Sequence, residues 1–198
     1  MIKKANYDHL RMNYGRVSSW AVWTPPYVGA PKSNTDDLSV FKNKDLLKIL
    51  NPHYVFVGLN AASGHINKPG FYENDWSNSH SGYRYQHDYK IRYALTGTPY
   101  WGGYMTDVIK RYPEKDSTKV KSYLKSHPEV VYENILEFKQ ELTYLDKHPV
   151  IIAFGGESFN ILNSYLGGQY TIIGIKHYSY TIGSDDYRKE VLEALKNY

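Results

Sequence analysis

Two polar side chains, an amide and an imidazole, follow apolar runs that lie more than a hundred residues apart. Asn60 directly follows the run Val55–Leu59, and His177 comes shortly after the run Ile172–Ile175. Short apolar runs that stop abruptly at a polar residue are typical of buried parallel strands. Ligands of open α/β sheets bind outside the carboxyl ends of the strands, so Asn60 and His177 are expected to face one cleft. An amide and an imidazole placed together there could do chemistry on a bound molecule.

Strand and helix patterns alternate along most of the chain. Four strands are predicted, at Tyr54–Asn60, Tyr104–Thr106, Val150–Phe154 and Tyr170–Ile175. Helices are predicted at Lys44–Leu50, at Asp88–Leu95, in two pieces between Ser117 and Lys147, from Gly156 to near Gly167, and at Ser184–Leu195. Such alternation implies right-handed crossovers and helices on both faces of the sheet. We therefore predict an α/β fold, a three-layer α/β/α sandwich around a central, mostly parallel four-stranded sheet.

Residues 1–43 do not share this alternation. They mix aromatic side chains such as Trp20 and Trp23 with a cluster of prolines and glycine between residues 25 and 31. Such breakers predict an irregular segment that wraps around the rest of the molecule. The whole chain of 198 residues has the size of one domain. We therefore predict a single domain over residues 1–198.

Composition excludes several kinds of chemistry. The chain has no cysteine, which rules out disulfides, thiolate nucleophiles and cysteine-bound iron–sulfur clusters. No apolar run approaches the roughly 20 residues of a membrane helix, and the first residues lack the apolar stretch of a signal peptide. We therefore expect a cytoplasmic protein that does not bind membranes. The net charge of +4 is compatible with a polyanionic partner, and the 21 tyrosines suit either base stacking or ordinary packing.

Three segments carry motifs of one known family, and a fourth fits one of its strands. Gly58–Ala62 reads GLNAA and is similar to GINPG, the motif that follows the first active-site strand in one branch of that family. His177–Ser179 reads HYS and occupies the place of the closing motif HPS or NPS. Tyr104–Pro113 resembles the strand written ITNVVKCRP or ITKLVDRPT, and Ile151–Gly155 fits the strand before the last helix. By these segments the chain resembles the uracil-DNA glycosylase superfamily over roughly residues 54 to 183.

The resemblance implies hydrolysis of the N-glycosidic bond of a uracil-type or other damaged base in DNA, without a metal or an organic cofactor. Asn60 would hold the attacking water through its carbonyl oxygen, a weaker role than that of a general-base carboxylate. His177 would donate a hydrogen bond to the base oxygen on which negative charge develops. We therefore expect a slow, monomeric glycosylase whose partner is DNA, with no obligate protein partner.

Asp107 stands where the uracil-specific branches have an asparagine that reads the base. An ionised aspartate only accepts hydrogen bonds, so it would favour a base edge that carries donors. A protonated carboxyl would restore the donor that uracil requires, because burial raises the pKa of such a group. The alternative is a structural role, in which Asp107 caps the turn Val108–Tyr112.

Further residues are candidates for contacts with the nucleic acid. A ring that stacks on the base is expected among Phe71, Tyr72 and Trp76. The residues expected to approach the nucleic-acid backbone are Ser63, Lys110, Arg111 and Ser179. Tyr180 lies where relatives place a wedge that fills the gap left by an extruded base. The basic residues could instead form a solvated face, and Tyr180 could simply pack. His80, His87 and Asp88 could be metal ligands, but we expect them to belong to a solvated loop.

The chain departs from the family motifs at two loops. Ala61 and Ala62 replace the Pro-Gly of GINPG, and Tyr178 replaces the proline of HPS. Loss of proline and glycine removes rigidity from loops that grip a nucleic-acid backbone. Two other functions therefore stay open: a nucleic-acid-binding module of the same fold without turnover, and a hydrolase of free nucleosides.

Overall fold

The computed structural model describes residues 1–25, 29–61, 74–82, 86–110 and 112–198. Over these ranges the chain forms seven α-helices and five strands, which alternate from β2 onward. Their bounds are α1 Lys4–Tyr14, β1 Ser19–Trp20, α2 Leu46–Ile49, β2 Asn51–Asn60, α3 Asp88–Leu95, β3 Gly103–Ile109, α4 Ser117–Ser126, α5 Pro128–Leu142, β4 Val150–Phe154, α6 Gly156–Leu166, β5 Ile172–Ile175 and α7 Ser184–Leu195. None of the helices in the described ranges is long and apolar enough to cross a membrane.

The sheet has the strand order β1-β3-β2-β4-β5. The four strands predicted from the sequence are parallel to their neighbours, whereas β1 pairs antiparallel with β3. The prediction of four strands is therefore wrong by one, and the sheet is mixed. A strand of two residues is too short to show a period in the sequence, so β1 exists only through its pairing with β3.

Helices cover both faces of the sheet. On one face, Val55 and Val57 of β2 belong to a core cluster with residues of α1, α4, α5 and α6. On the other face, Tyr54 and Phe56 belong to a cluster with residues of α3 and α7. Successive residues of a strand point to opposite faces, so one uninterrupted apolar strand serves both cores. The arrangement agrees with the α/β/α layering expected from the alternation.

The sequence predicted an irregular segment over residues 1–43, and this is wrong for its first half, residues 4–20. Residues 4–14 form α1, which buries Tyr7, Leu10 and Tyr14 at helical spacing. The segment then adds β1 to the sheet, where the Trp20 ring meets the Tyr104 ring edge-on at 4.9 Å. Aromatic burial of this kind dominates local packing energy. The segment is therefore part of the core rather than a wrapping around it.

Candidate functional site

Strand register brings Asn60 and His177 to the same edge of the sheet. Val57 pairs with Ala153, and Ala153 pairs with Gly174, so these three residues form one row across β2, β4 and β5. Asn60 and His177 each follow that row by three residues. Because β4 alone separates the two strands, their backbones lie about two strand spacings apart, roughly 10 Å. The two residues named first from the sequence therefore flank one carboxyl edge.

A glycine turn between β4 and α6 shapes the edge between them. Gly155 has φ +85°, a left-handed conformation that favours glycine. Its N–H donates to the Ile175 carbonyl oxygen at 2.8 Å, which ties the turn to the end of β5. On the other side, the Ser158 hydroxyl donates to the Val57 carbonyl oxygen at 2.9 Å and anchors α6 on β2. The start of α6 therefore lies between the ends of the two strands that carry the site.

Asp107 lies on the face of the sheet that α3 and α7 cover. It pairs with Gly58 of the neighbouring strand, and a Cβ added to Gly58 would collide with its Oδ1 atom. Gly58 and Asn60 share a face with Phe56, because side chains two residues apart point the same way. His177 is on this side too, since the centre of its ring lies 6.2 Å from that of Phe154, which belongs to the core cluster on this face. Asn60 and His177 therefore share an edge of the sheet, and Asp107, which pairs with Gly58 two residues before Asn60, lies on the same face one step inside that edge.

The Asn60 amide is fixed at its nitrogen and open at its oxygen. Its Nδ2 donates to the carbonyl oxygens of Tyr112 at 2.8 Å and Glu114 at 2.7 Å. Carbonyl oxygens only accept, so these two bonds define which end of the amide is the nitrogen. Its Oδ1 has no hydrogen-bond partner among the described residues. Asn60 therefore clamps the chain that follows β3 while leaving one acceptor available.

The His177 ring is neutral and has a defined tautomer. The Ser179 backbone N–H donates to its Nδ1 at 3.2 Å, and the Ser179 hydroxyl lies 2.7 Å from the same atom. Burial, aided by the nearby His87, lowers the pKa of His177 to about 4. A neutral ring that accepts at Nδ1 carries its proton on Nε2. His177 therefore offers an N–H donor near neutral pH.

Two buried carboxyl groups, those of Asp88 and Asp107, lie near this edge of the sheet. Asp107 is 7 % exposed and Asp88, the first residue of α3, is 4 % exposed. Desolvation raises the pKa of Asp107 to about 6 and that of Asp88 to about 7. The charge of Asp107 adds to the shift of Asp88. Perturbed carboxyl groups beside a strand edge are typical of functional sites.

A cavity of about 340 Å³ opens beside the turn that follows His177. It is lined by residues 179–183 and, from the start of α3, by His87 and Lys90. The Lys90 ammonium donates to the carbonyl oxygens of Tyr180 at 3.1 Å and Ile182 at 3.0 Å, which fixes this turn on α3. The Nδ1 atom of His87 is buried without a hydrogen-bond partner in the described part of the chain. The cavity therefore has a wall held in place by Lys90, and His87 beside it has a buried ring nitrogen without a partner among the described residues.

The expectation that Lys110 contacts phosphate is wrong. Its side chain is fully buried, and its Nζ lies 2.6 Å from Glu141 Oε2. The ammonium also donates to Thr106 Oγ1 at 2.8 Å and to the Asp107 carbonyl oxygen at 2.9 Å. These contacts join the end of β3 to α5 and keep the Lys110 ammonium away from the surface. Arg111, the other basic residue expected there, lies outside the described residues.

Trp76 is a core residue and not a ring exposed for stacking. It is 2 % exposed and packs among Tyr7, Trp20 and Tyr104. Its Nε1 donates to the Tyr7 hydroxyl at 2.8 Å. Its position between α1 and the sheet therefore contradicts the stacking role. The other candidates for that role, Phe71 and Tyr72, lie outside the described residues, as does Ser63.

Ser179 and Tyr180 are at the surface, as a contact with nucleic acid requires. Tyr180 is 59 % exposed, and the Lys176 ammonium lies 5.6 Å from the centre of its ring. Ser179 is also exposed, although its hydroxyl and N–H both face His177. The structure therefore leaves both residues accessible beside the cavity.

Sequence reasoning missed the buried polar residues of the segment 74–82. Asn78 and His80 are 5 % and 3 % exposed, so they do not belong to a solvated loop. Asp88 is likewise buried, and its Oδ2 accepts from the Ser81 N–H at 2.8 Å. The Asn78 amide donates to Asp107 Oδ2 at 2.8 Å. The only feature of the sequence that hinted at a structural role for these residues was the position of Asp88 at the start of a predicted helix.

Neither the scan against protein-family models nor the search of curated proteins returned a match for this chain.

Proposed function

We propose that this chain is a DNA glycosylase of the uracil-DNA glycosylase type, which hydrolyses the N-glycosidic bond of uracil or another deaminated base. The observation that carries the proposal is that Asn60 and His177 share one edge of the sheet and that Asp107 lies on the same face just inside it. Motif resemblance selected these residues from three separate segments of the sequence. Their common location supports the idea that the three segments build one site.

Cleavage of the bond requires a leaving base that can carry negative charge, a stabilised sugar cation and a positioned water. The free Oδ1 of Asn60 would accept a hydrogen bond from that water. The two bonds at its Nδ2 would hold the amide in place, so the water would meet a fixed acceptor. An amide is too weak a base to take the proton early, which predicts slow turnover.

The Nε2–H of His177 would face the oxygen of the departing base. A neutral imidazole donates to a developing oxyanion without a change of its own protonation state. Because the pKa of His177 is lowered to about 4, this donor would persist over the whole neutral range. The open carboxyl oxygen of Asp107 would contact the edge of the base.

One observation favours a second function, that of a nucleic-acid-binding module without turnover. The bonds from Asn60 to Tyr112 and Glu114 are a sufficient structural reason for an amide at this position. A protein that kept the fold and lost the reaction would keep those bonds. Such a protein would bind DNA with an affinity that falls as salt rises.

The test is base release from oligonucleotides that contain uracil or hypoxanthine. His177→Ala is expected to lower the rate by about 100- to 1000-fold, the usual cost of removing one oxyanion donor. The matched control is His148→Ala, which changes an exposed histidine away from the sheet edge. Equal circular dichroism of both variants and the parent would show that the fold is kept.

Three results would contradict the proposal, each in a different way. An unchanged rate in His177→Ala would remove His177 from the site. Salt-sensitive DNA binding without release of any base would favour the binding module. Turnover of free nucleosides without affinity for DNA would favour a nucleoside hydrolase.

A further inference from the structure

Asn78 holds one oxygen of the Asp107 carboxyl group. Its Nδ2 donates to Asp107 Oδ2 at 2.8 Å and to the Val17 carbonyl oxygen at 2.9 Å. Both acceptors face the same nitrogen, so the orientation of the Asn78 amide is defined by its contacts. Asn78 is itself buried, and its backbone carbonyl oxygen lies 3.0 Å from His80 Nδ1. The bond to Asp107 therefore comes from a side chain with little freedom to move.

The other oxygen of Asp107 is left without a partner. Oδ1 makes no hydrogen bond with the described residues, and it lies against Gly58, which has no side chain to cover it. The carbonyl oxygen of a neutral carboxyl group is a better acceptor than its hydroxyl oxygen, and Oδ2 accepts from Asn78. This contact therefore favours Oδ1 as the site of the proton in a neutral Asp107. Oδ1 is a donor when the group is neutral and an acceptor when it is ionised.

We propose that Asn78 is a positioning residue that fixes Oδ1 of Asp107 as the atom that reads the base, so that the neutral carboxyl group selects bases with a carbonyl oxygen at that edge. This inference rests on the proposed glycosylase function. It assigns keto bases, such as uracil and hypoxanthine, as the substrate class of the neutral site. Bases with an amino group at that edge would meet a donor and be rejected.

The surroundings of Asp107 raise its pKa, so that the neutral form predominates up to about pH 6. Burial raises its pKa to about 6, and the Asn78 bond opposes that shift because it stabilises the ionised form. The other charged groups that act on it in the described chain are Lys110, which directly follows its strand, Glu141 on α5 and Asp88 on α3. Lys110 lowers the pKa of Asp107 and Glu141 raises it, while Asp88 is coupled to Asp107 by like charge. A carboxyl group in this setting changes form within the range in which an enzyme is assayed.

The first experiment measures the pH dependence of uracil release from single-stranded DNA. For the wild-type chain the rate should fall about tenfold per pH unit above pH 6, as the donor at Oδ1 is lost. Asn78→Leu removes the hydrogen bond to Asp107 Oδ2 and keeps a side chain of similar volume. The ionised form of Asp107 is then less stabilised. The midpoint should then rise by about one pH unit, which corresponds to one hydrogen bond. A merely structural role of Asn78 would lower the rate without moving this midpoint.

The second variant, Asp107→Asn, keeps the experiment decisive if Asn78→Leu does not fold. The new amide would accept from Asn78 with its oxygen and present its NH₂ group where Oδ1 was, as a permanent donor. Uracil release should then be independent of pH between 5 and 8. A ¹³C titration of the Asp107 carboxyl in wild type and Asn78→Leu gives the same midpoint shift without any substrate.

The outcomes separate the inference from the function on which it rests. Absence of base release from wild type at every pH would overturn the glycosylase. Release with the same midpoint in wild type and Asn78→Leu would overturn the role of Asn78 alone. A pH-dependent profile in Asp107→Asn would overturn the assignment of Oδ1 as the reading atom.

Discussion

Asn60 and His177 are each bound at one polar atom and open at the other. The nitrogen of Asn60 holds two carbonyl oxygens, and Nδ1 of His177 accepts from Ser179. Hydrogen bonds of this kind define the orientation of an amide and the tautomer of an imidazole. A structural role and a functional role are therefore compatible in each residue, since the two roles use different atoms of the same side chain.

Asn60→Ala is expected to lower the free energy of unfolding by about 1–3 kcal/mol, because two carbonyl oxygens lose their donor. Urea unfolding followed by fluorescence measures this change. The control is Asn13→Ala, which removes an exposed amide that bonds within its own helix and should cost less than about 0.5 kcal/mol. Equal stability of the two variants would show that the Asn60 clamp contributes nothing.

Asp88→Asn is expected to stabilise the fold increasingly as pH rises. The pKa of Asp88 is raised to about 7 in the folded state, so between pH 4 and pH 7 the folded chain keeps a proton that the unfolded chain has lost. The contribution of Asp88 to stability is thus lost as pH rises through this window. Asparagine does not ionise and can still accept from the Ser81 N–H.

The measurement is the urea midpoint of Asp88→Asn and wild type at pH 4, 6 and 8. The two midpoints should be close at pH 4. At pH 8 the unfolding free energies derived from them should differ by a few kcal/mol, since each pKa unit is worth about 1.4 kcal/mol. Parallel curves would mean that Asp88 is ionised in the folded chain throughout.

At the scale of elements, the site is built where strand ends meet helix starts. The bounds predicted for α3 and α7 are confirmed, and α3 brings His87, Asp88 and Lys90 to the edge of the sheet. β3 extends two residues beyond Asp107, so this residue lies inside a strand and not at its end. The carboxyl group accordingly bonds to Asn78 rather than capping the turn that was considered for it.

The pair Lys110–Glu141 links β3 to α5 within the core. Lys110→Met should lower the free energy of unfolding by about 3–5 kcal/mol, because it leaves the Glu141 carboxylate buried without its cation. Adding Glu141→Gln removes that charge and keeps an oxygen for the Tyr104 hydroxyl, which now donates to Glu141 at 2.6 Å. The double variant should recover most of the loss.

Urea unfolding of the wild type, the two single variants and the double variant gives the coupling between the two side chains. Additive losses would show that the pair does not interact.

DNA affinity measured at two salt concentrations is expected to be the same in Lys110→Met and wild type, because the ammonium does not reach the surface.

At the scale of the whole molecule, the amino-terminal segment and the sheet are one packed body. Leu10 of α1 is fully buried in the cluster that also contains Val55 and Val57 of the central strand. Trp76 reaches the same cluster from the segment 74–82. A core that draws on such distant parts of a chain is expected to unfold in one cooperative step.

Leu10→Ala should therefore lower the thermal midpoint of the whole transition, with a loss of about 2–5 kcal/mol. The control in the same helix is Met12→Ala, since Met12 is 79 % exposed and should change stability little. Differential scanning calorimetry measures both. A separate early transition in Leu10→Ala, with the main one unchanged, would mean that the segment folds as an independent unit.

The sequence by itself determined the order of strands and helices from residue 44 onward, because periodicity and chain breakers act over a few neighbouring residues, although it missed α1 and β1. It also excluded cysteine chemistry and put Asn60 and His177 at strand ends. Only the tertiary structure decided which polar groups are buried and which partner each has. Asn78 meets Asp107 across 29 positions, and Lys110 meets Glu141 across an intervening helix. Burial and pairing depend on residues that are distant in the chain, so a basic cluster in the sequence proved to contain a core ion pair.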